Sequence, residues 1–170
     1  MGLEFKGDFP AAIMVALQLT ANRVHRVSAA AMRGEAEKIA DLAGRLAPQS
    51  LDVSVQANKL ESALIAEHAG GERAANGRFE KNVSAVLIDP RALGTGGKGH
   101  MSAADYGYLM HEGMLPDGAN IYKPSMGTQT KPDAEGMTPG GKFLERALKH
   151  RSKFVRGGIQ RAVSEVIRNA

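Results

Sequence analysis

The chain has 170 residues, enough for one ordinary domain and few for two. It carries no Cys, which excludes a disulfide scaffold, a thiolate nucleophile and cysteine-based zinc sites. The net charge is +4, and the 43% apolar content leans on Ala, Leu, Val and Met, with five Phe, three Tyr and no Trp, a mixture that suits helices better than a β-sandwich.

The opening Met1-Gly2-Leu3-Glu4-Phe5-Lys6-Gly7-Asp8 lacks the charged-then-apolar order of a secretory signal. No apolar run approaches the roughly 18 residues of a membrane span. A soluble protein of cytosolic synthesis, without a membrane partner, is expected.

In chain order, the first element is a long amphipathic helix over 10–47. Pro10 suits a first helical turn, where its missing N–H is not needed. Ile13, Leu17, Val24, Val27, Ala31, Ile39, Leu42 and Leu46 recur at helical spacing. A break is expected near Arg33-Gly34, and Pro48 ends the helix by excluding Ala47 from the α region. Unbroken, such a helix spans roughly 55 Å. That is long for so small a domain, so part of it is expected to pack against something other than its own core.

A β-region over 59–113 follows. Lys59–His68 and Phe79–Ile88 are its candidate strands, and Gly70–Gly77 reads as the hairpin loop between them. Gly94–Gly99, with four glycines in six residues, is a flexible loop without the spacing of a phosphate-binding one. Asp105–Gly113 is a short ordered block closing the region. The stretch 114–139 reads as a long loop, since Leu115–Pro139 holds four of the seven prolines. Both loops are expected to be disordered in the free subunit and to order on contact.

The last element is an amphipathic helix over 142–169, with Leu144, Leu148, Val155, Ile159, Ala162 and Val166 as its stripe. Replacing Leu148 and Val155 with Asp is expected to unfold the chain. Gly157-Gly158 marks a kink or a neighbour's close approach. From Lys142 onward eight Lys or Arg face two Glu, so this segment holds a surplus of six positive charges and the rest of the chain is net −2. Lys149, Arg151, Lys153, Arg156 and Arg161 are the candidate contacts to DNA or to an acidic partner. The plainer reading of the same residues is a solvated outer face.

Chemistry is sparse. The five histidines make no His-Glu-x-x-His pair, and there is no Gly-x-Ser-x-Gly elbow. The expectation is no catalytic residue, no metal and no cofactor, and hence not an enzyme.

Four features occur in a fixed order. A helix ends in Ile39-Ala40-Asp41-Leu42-Ala43-Gly44-Arg45-Leu46-Ala47-Pro48, and a strand pair holds Leu60-Glu61-Ser62-Ala63-Leu64-Ile65. Tyr106-Gly107-Tyr108-Leu109-Met110-His111-Glu112-Gly113 comes next, and Gly141-Lys142-Phe143-Leu144-Glu145-Arg146-Ala147-Leu148 opens the last helix. From about Met32 to Lys149 this order resembles the tail-completion and minor-tail (lambda Z-like) family of long-tailed bacteriophages. The chain departs from that pattern in three places, one of them a Leu115–Pro139 loop longer than the family's. Gln49-Ser50-Leu51-Asp52 stands where the family has an Asp-Thr-Gly turn, and Gly141-Lys142 replaces a Pro before Phe143.

The resemblance implies a structural virion protein made in the host bacterial cytoplasm and built into the neck. There it would form a homo-oligomeric ring, a hexamer, joining the head connector to the tail. Its partners would be other copies of itself, the head-closure, tail-terminator and tail-tube proteins, and phage DNA in the lumen. The residues carrying the resemblance are Pro48, Leu60, Tyr106, Glu112, Gly113, Phe143 and Leu144. The competing readings are a nucleic-acid-binding accessory protein using the basic C-terminal helix, and a small hydrolase of unrecognised type. The fold expected is one α+β domain over 1–170: a long N-terminal helix, a small antiparallel sheet, and a C-terminal helix packed on the sheet.

Overall fold

The computed structural model describes residues 11–48, 60, 63–70, 81–89, 103–112 and 131–169. The elements are α1 (Ala11–Leu46), β1 (Leu64–Ala69), β2 (Val83–Ile88), α2 (Ala103–Glu112) and α3 (Phe143–Arg168). The architecture is α+β, as expected: a long N-terminal helix, a two-stranded antiparallel sheet, and a C-terminal helix packed against α1 and the sheet.

Helix α1 runs unbroken through Arg33-Gly34. A lone Gly costs a helix roughly 1 kcal/mol relative to Ala, which packing of the flanking turns outweighs. The C-terminal third of α1 supplies much of the core: Ile39, Leu42, Ala43, Leu46 and Ala47 are buried, with Pro48 behind them. Phe143 and Ala147 from α3, Leu60, Leu64 and Ala134 complete it. Phe143, Leu42 and Leu46 are its largest fully enclosed side chains. Burying each contributes about 1.5–3 kcal/mol relative to exposure.

The sheet pairs Leu64 with Ile88, Ala66 with Val86 and His68 with Ser84. Side chains alternate across a strand, so these six share one face. Leu64, Val86 and Ile88 place that face on the core. The first strand begins later than the expected Lys59–His68. Leu60 is helical, and Ala63 N–H donates to Leu60 O at 3.2 Å, so a turn precedes the strand. Likewise β2 begins at Val83 rather than Phe79, while the 70–77 loop beyond Gly70 lies outside the described residues.

The block Asp105–Gly113, assigned to the β-region, is a correction: its described part belongs to helix α2. Gly107 shows why a Gly is placed inside this helix. A Cβ there would sit 2.3 Å from Ile88 Cδ1 and 2.9 Å from Leu60 Cδ1, so the missing side chain lets α2 press onto the sheet.

The long loop needs a second correction. Residues 131–139 do not wait for a partner to order them. Ala134 and Met137 exchange two backbone hydrogen bonds of 2.9 Å around Glu135-Gly136, both at positive φ, as a two-residue hairpin turn requires. Lys131 Nζ donates to the carbonyls of Gly44 at 2.9 Å and Ala47 at 3.0 Å, and Gly140 N–H donates to Leu46 O at 2.8 Å. The segment therefore caps the end of α1, satisfying carbonyls that no helical N–H can reach. Residues 115–130 and the Gly94–Gly99 loop lie outside the described residues.

Helix α3 runs antiparallel to α1. Its start lies at Leu46, through Gly140, and its middle lies at Glu35, which receives Arg151 and lies 3.6 Å from the Cβ position of Gly158. The helix runs on through Gly157-Gly158. A Cβ at Gly158 would meet Glu35 at 3.6 Å, an ordinary contact, and one at Gly157 would meet open space, so nothing in the structure explains either glycine. The stripe read from the sequence is also uneven. Val155 packs on the core, but Leu148 is 55% exposed, so the unfolding expected of the Asp pair rests on Val155.

Candidate functional site

Of the residues singled out by the resemblance, Glu112 and Phe143 come together at one junction. Helix α2 ends where α3 begins: Lys142 N–H donates to His111 O at 2.7 Å, and the His111 ring meets Phe143 edge-on at 5.2 Å. Glu112 accepts from Lys142 Nζ and lies 2.9 Å from His111 Nδ1. The hydrogen bond from Lys142, followed by that from His111, holds the Glu112 carboxyl below the usual carboxylate range, and Glu112 in turn raises the Lys142 ammonium. Leu60 and Pro48 are buried, Phe143 is fully buried and Leu144 packs on the core. Tyr106 lies in α2, with its side chain outside the described residues, and Gly113 is also outside them. The two motif blocks, some thirty residues apart, thus meet as a packing joint rather than a reactive centre.

The basic candidates divide. Lys149, Lys153, Arg156 and Arg161 are exposed, and the first three follow one another at i, i+4 and i+7, along one side of α3. Arg151 departs from them and is a correction. Its side chain is only 16% exposed, with Nη2 2.9 Å from Glu35 Oε2 and Nη1 3.7 Å from Glu135 Oε1. It is an internal strut between α1, α3 and the 131–140 segment, committed to carboxylates. Phe154, 44% exposed, lies beneath both Arg151 and Lys153, each 5.0 Å from its centroid. An aromatic therefore stands among these cations.

Glu35 is what sequence reasoning missed. It is 8% exposed and holds Lys38 at 2.7 Å as well as Arg151. Burial pushes its carboxyl up, but the hydrogen bonds from Lys38 and Arg151, with their charges, outweigh that and hold it below the ordinary value. The signal was present: Ala31, Glu35 and Ile39 are four residues apart, so Glu35 is an acid on the apolar stripe. Glu135 joins the same network, 2.9 Å from His150 Nε2 and 3.7 Å from Arg45 Nη2. Those contacts offset the strain of a non-Gly residue at φ 49.

Two apolar surfaces remain uncovered among the described residues. The first is the N-terminal end of α1, where Ile13, Met14, Val15, Leu17 and Leu19 are all 44–63% exposed. Ile13 and Leu17 continue the stripe that faces α3. Val15 and Leu19 lie on the opposite side, where Arg26, Arg33, Glu37 and Asp41 stand further along the helix. The antiparallel register explains the exposure. With Gly140 at Leu46 and 26 residues in α3, its last turn lies near residue 20 of α1. The first ten or so residues of α1, about 15 Å, project past it.

The second surface is a groove of about 590 Å³ between α3 and β2, floored by α1. Met32, Ala36 and Ile39 form the floor, Ser84 and Val86 one wall, and Leu144, Leu148 and Val155 the other. His111 lines it too, and its Nε2 is buried without a hydrogen-bond partner. The charged residues in the lining are Glu35 and Glu145.

Among the described residues, no three His, Asp or Glu converge as a metal would require, and no helix is long and apolar enough to cross a membrane. No protein-family model, curated protein or solved structure matches the chain.

Proposed function

We propose that this chain is a structural subunit of a bacteriophage neck, assembling with copies of itself into a ring, a hexamer, between head and tail. The observation that carries the self-assembly is the end of α1. A helix that is apolar on all sides is a buried helix. Ile13, Val15, Leu17 and Leu19 point both toward and away from α3, yet nothing described covers them. A closed ring supplies such cover through a heterologous contact, in which one end of each subunit meets a different surface of the next. The motif order supports placing that ring in a neck, and Glu112 and Phe143, from two of the blocks, share one packing joint, there made through Lys142, which stands where the family has Pro. The reading assigns the protein no catalysis: the charged side chains described around the core, Glu35, Glu112, Glu135 and Arg151, are engaged in ion pairs.

The exposed row of Lys149, Lys153 and Arg156 favours a secondary contact with DNA passing through the lumen. Phosphate contacts need only positive charge, not base-reading side chains.

The test is to label purified virions with an antibody to this chain. Labelling at the head–tail junction is the expected result, together with tailless heads when the chain is withheld. Normal, infectious particles lacking the chain would end the proposal.

A further inference from the structure

Among the described residues two apolar surfaces lack a partner. The projecting end of α1 belongs to the same continuous helix whose later turns, at Met32, Ala36 and Ile39, floor the groove, so the two cannot meet within one chain. We infer that the projecting end of α1, centred on Ile13 and Leu17, seats in the groove between α3 and β2 of a second copy of this chain.

Three observations fit that occupant. Length is the first: the groove wall runs from Leu144 to Val155 along α3, about 17 Å at helical rise, against a projection of about 15 Å. Shape is the second. Ile13 and Leu17 are spaced i, i+4, the pattern by which a helix anchors in an apolar groove, and the exposed Leu148 stands on the receiving wall. Charge is the third. From residue 11 to 34, α1 carries Arg23, Arg26 and Arg33 and no acid, whereas the charged side chains lining the groove are Glu35 and Glu145. Glu35 is already engaged by Lys38 and Arg151, which leaves exposed Glu145 at the rim to face Arg23, on the flank of α1, as it emerges from the groove. The donor surface differs from the acceptor surface, so the contact propagates head to tail and closes when the rotation per subunit divides a full turn.

This inference rests on the ring reading, and the test separates the two. The chain has no Cys, so single thiols can be placed without background. Leu17→Cys and Leu148→Cys proteins are made as full chains, mixed and oxidised, and each alone serves as control. The expected product is the mixed Leu17–Leu148 disulfide, with a covalent ladder when one chain carries both substitutions. Glu145→Arg should reduce that product at least tenfold, and adding Arg23→Glu on the donor should restore it. In dilute monomer, the Leu148→Cys thiol should react rapidly with a maleimide.

Several results would overturn the assignment. A preponderance of Leu17–Leu17 product would mean that the projecting ends pair with each other. Slow labelling of the monomer would mean that another part of the same chain fills the groove. A ring that forms without the mixed disulfide would leave the ring reading standing and remove this contact. A monomer at every concentration would remove both.

Discussion

Arg151 Nη2 lies 2.9 Å from Glu35 Oε2, and that contact joins the middle of α3 to the middle of α1 across 116 residues of sequence. It moves Arg151 out of the set of surface cations and into the frame that holds the two long helices in register. Removing one partner of a buried pair strands the other charge, at a cost on the order of 3 kcal/mol. Arg151→Ala and Glu35→Ala should each lose about that much stability. The double variant should lose much less than the sum, because the stranded charge is gone. Exposed Lys153→Ala should stay within about 0.5 kcal/mol of the parent. Urea unfolding of the four variants checks all three statements, and an additive double variant would contradict the pairing.

The same pair sets an acid limit. The Glu35 carboxyl is held below its ordinary value, because hydrogen bonds and charge from Lys38 and Arg151 exceed the opposing effect of burial. A depressed folded-state value contributes stability above the unfolded value of about 4.3, and that contribution disappears as pH falls through the folded value. The stability gap between the parent and Glu35→Gln should therefore be full at neutral pH and narrow steadily below about pH 4. Urea midpoints measured from pH 7 to pH 3 would show this, and a gap that widened toward acid would have the wrong sign.

Two glycines in helices should respond in opposite directions. Gly157 has nothing within 4 Å of a built Cβ, so Gly157→Ala should raise stability by up to about 1 kcal/mol through helix propensity alone. Gly107→Ala would force a Cβ to 2.3 Å from Ile88 Cδ1 and should destabilise by about 1–3 kcal/mol. Thermal melting of both variants decides the matter.

Asp at two positions of the α3 stripe should likewise have different consequences. Val155 packs on the core, and burying an unpaired carboxylate there should unfold the chain. Leu148 is 55% exposed, so Leu148→Asp should keep the parent's circular dichroism and melting temperature to within a few degrees. Unfolding of both would restore the uniform stripe expected from spacing.

How much was legible follows from what periodicity measures. The two long helices could be read because Ile39, Leu42 and Leu46, like Leu144, Val155 and Val166, repeat at a spacing that only a helix turns to one side. Helix α2 could not, since ten residues containing Gly107 give too few repeats to separate a helix from a strand, and the reason for that Gly lies in Ile88, a contact between distant residues. The role of Arg151 was hidden for a related reason. In sequence it is one of several evenly scattered cations, and only Glu35, on another helix, distinguishes it. The uncovered end of α1 was foreseen from the excess length of the helix, whereas the groove depends on three elements meeting and leaves no local trace. The ordered hairpin at Glu135-Gly136 was obscured by Pro and Gly content, which marks tight turns as readily as disorder.

Self-assembly through the end of α1 is the claim on which the functional reading depends, and the mass of the assembled species tests it most directly. Native mass spectrometry of the full chain, from dilute to concentrated, should give one discrete closed oligomer, six copies by the family resemblance. Leu17→Asp with Leu19→Asp should leave a folded monomer, because both side chains are more than half exposed in the isolated subunit. A parent chain that stays monomeric throughout, or an oligomer unchanged by the two substitutions, would contradict the account.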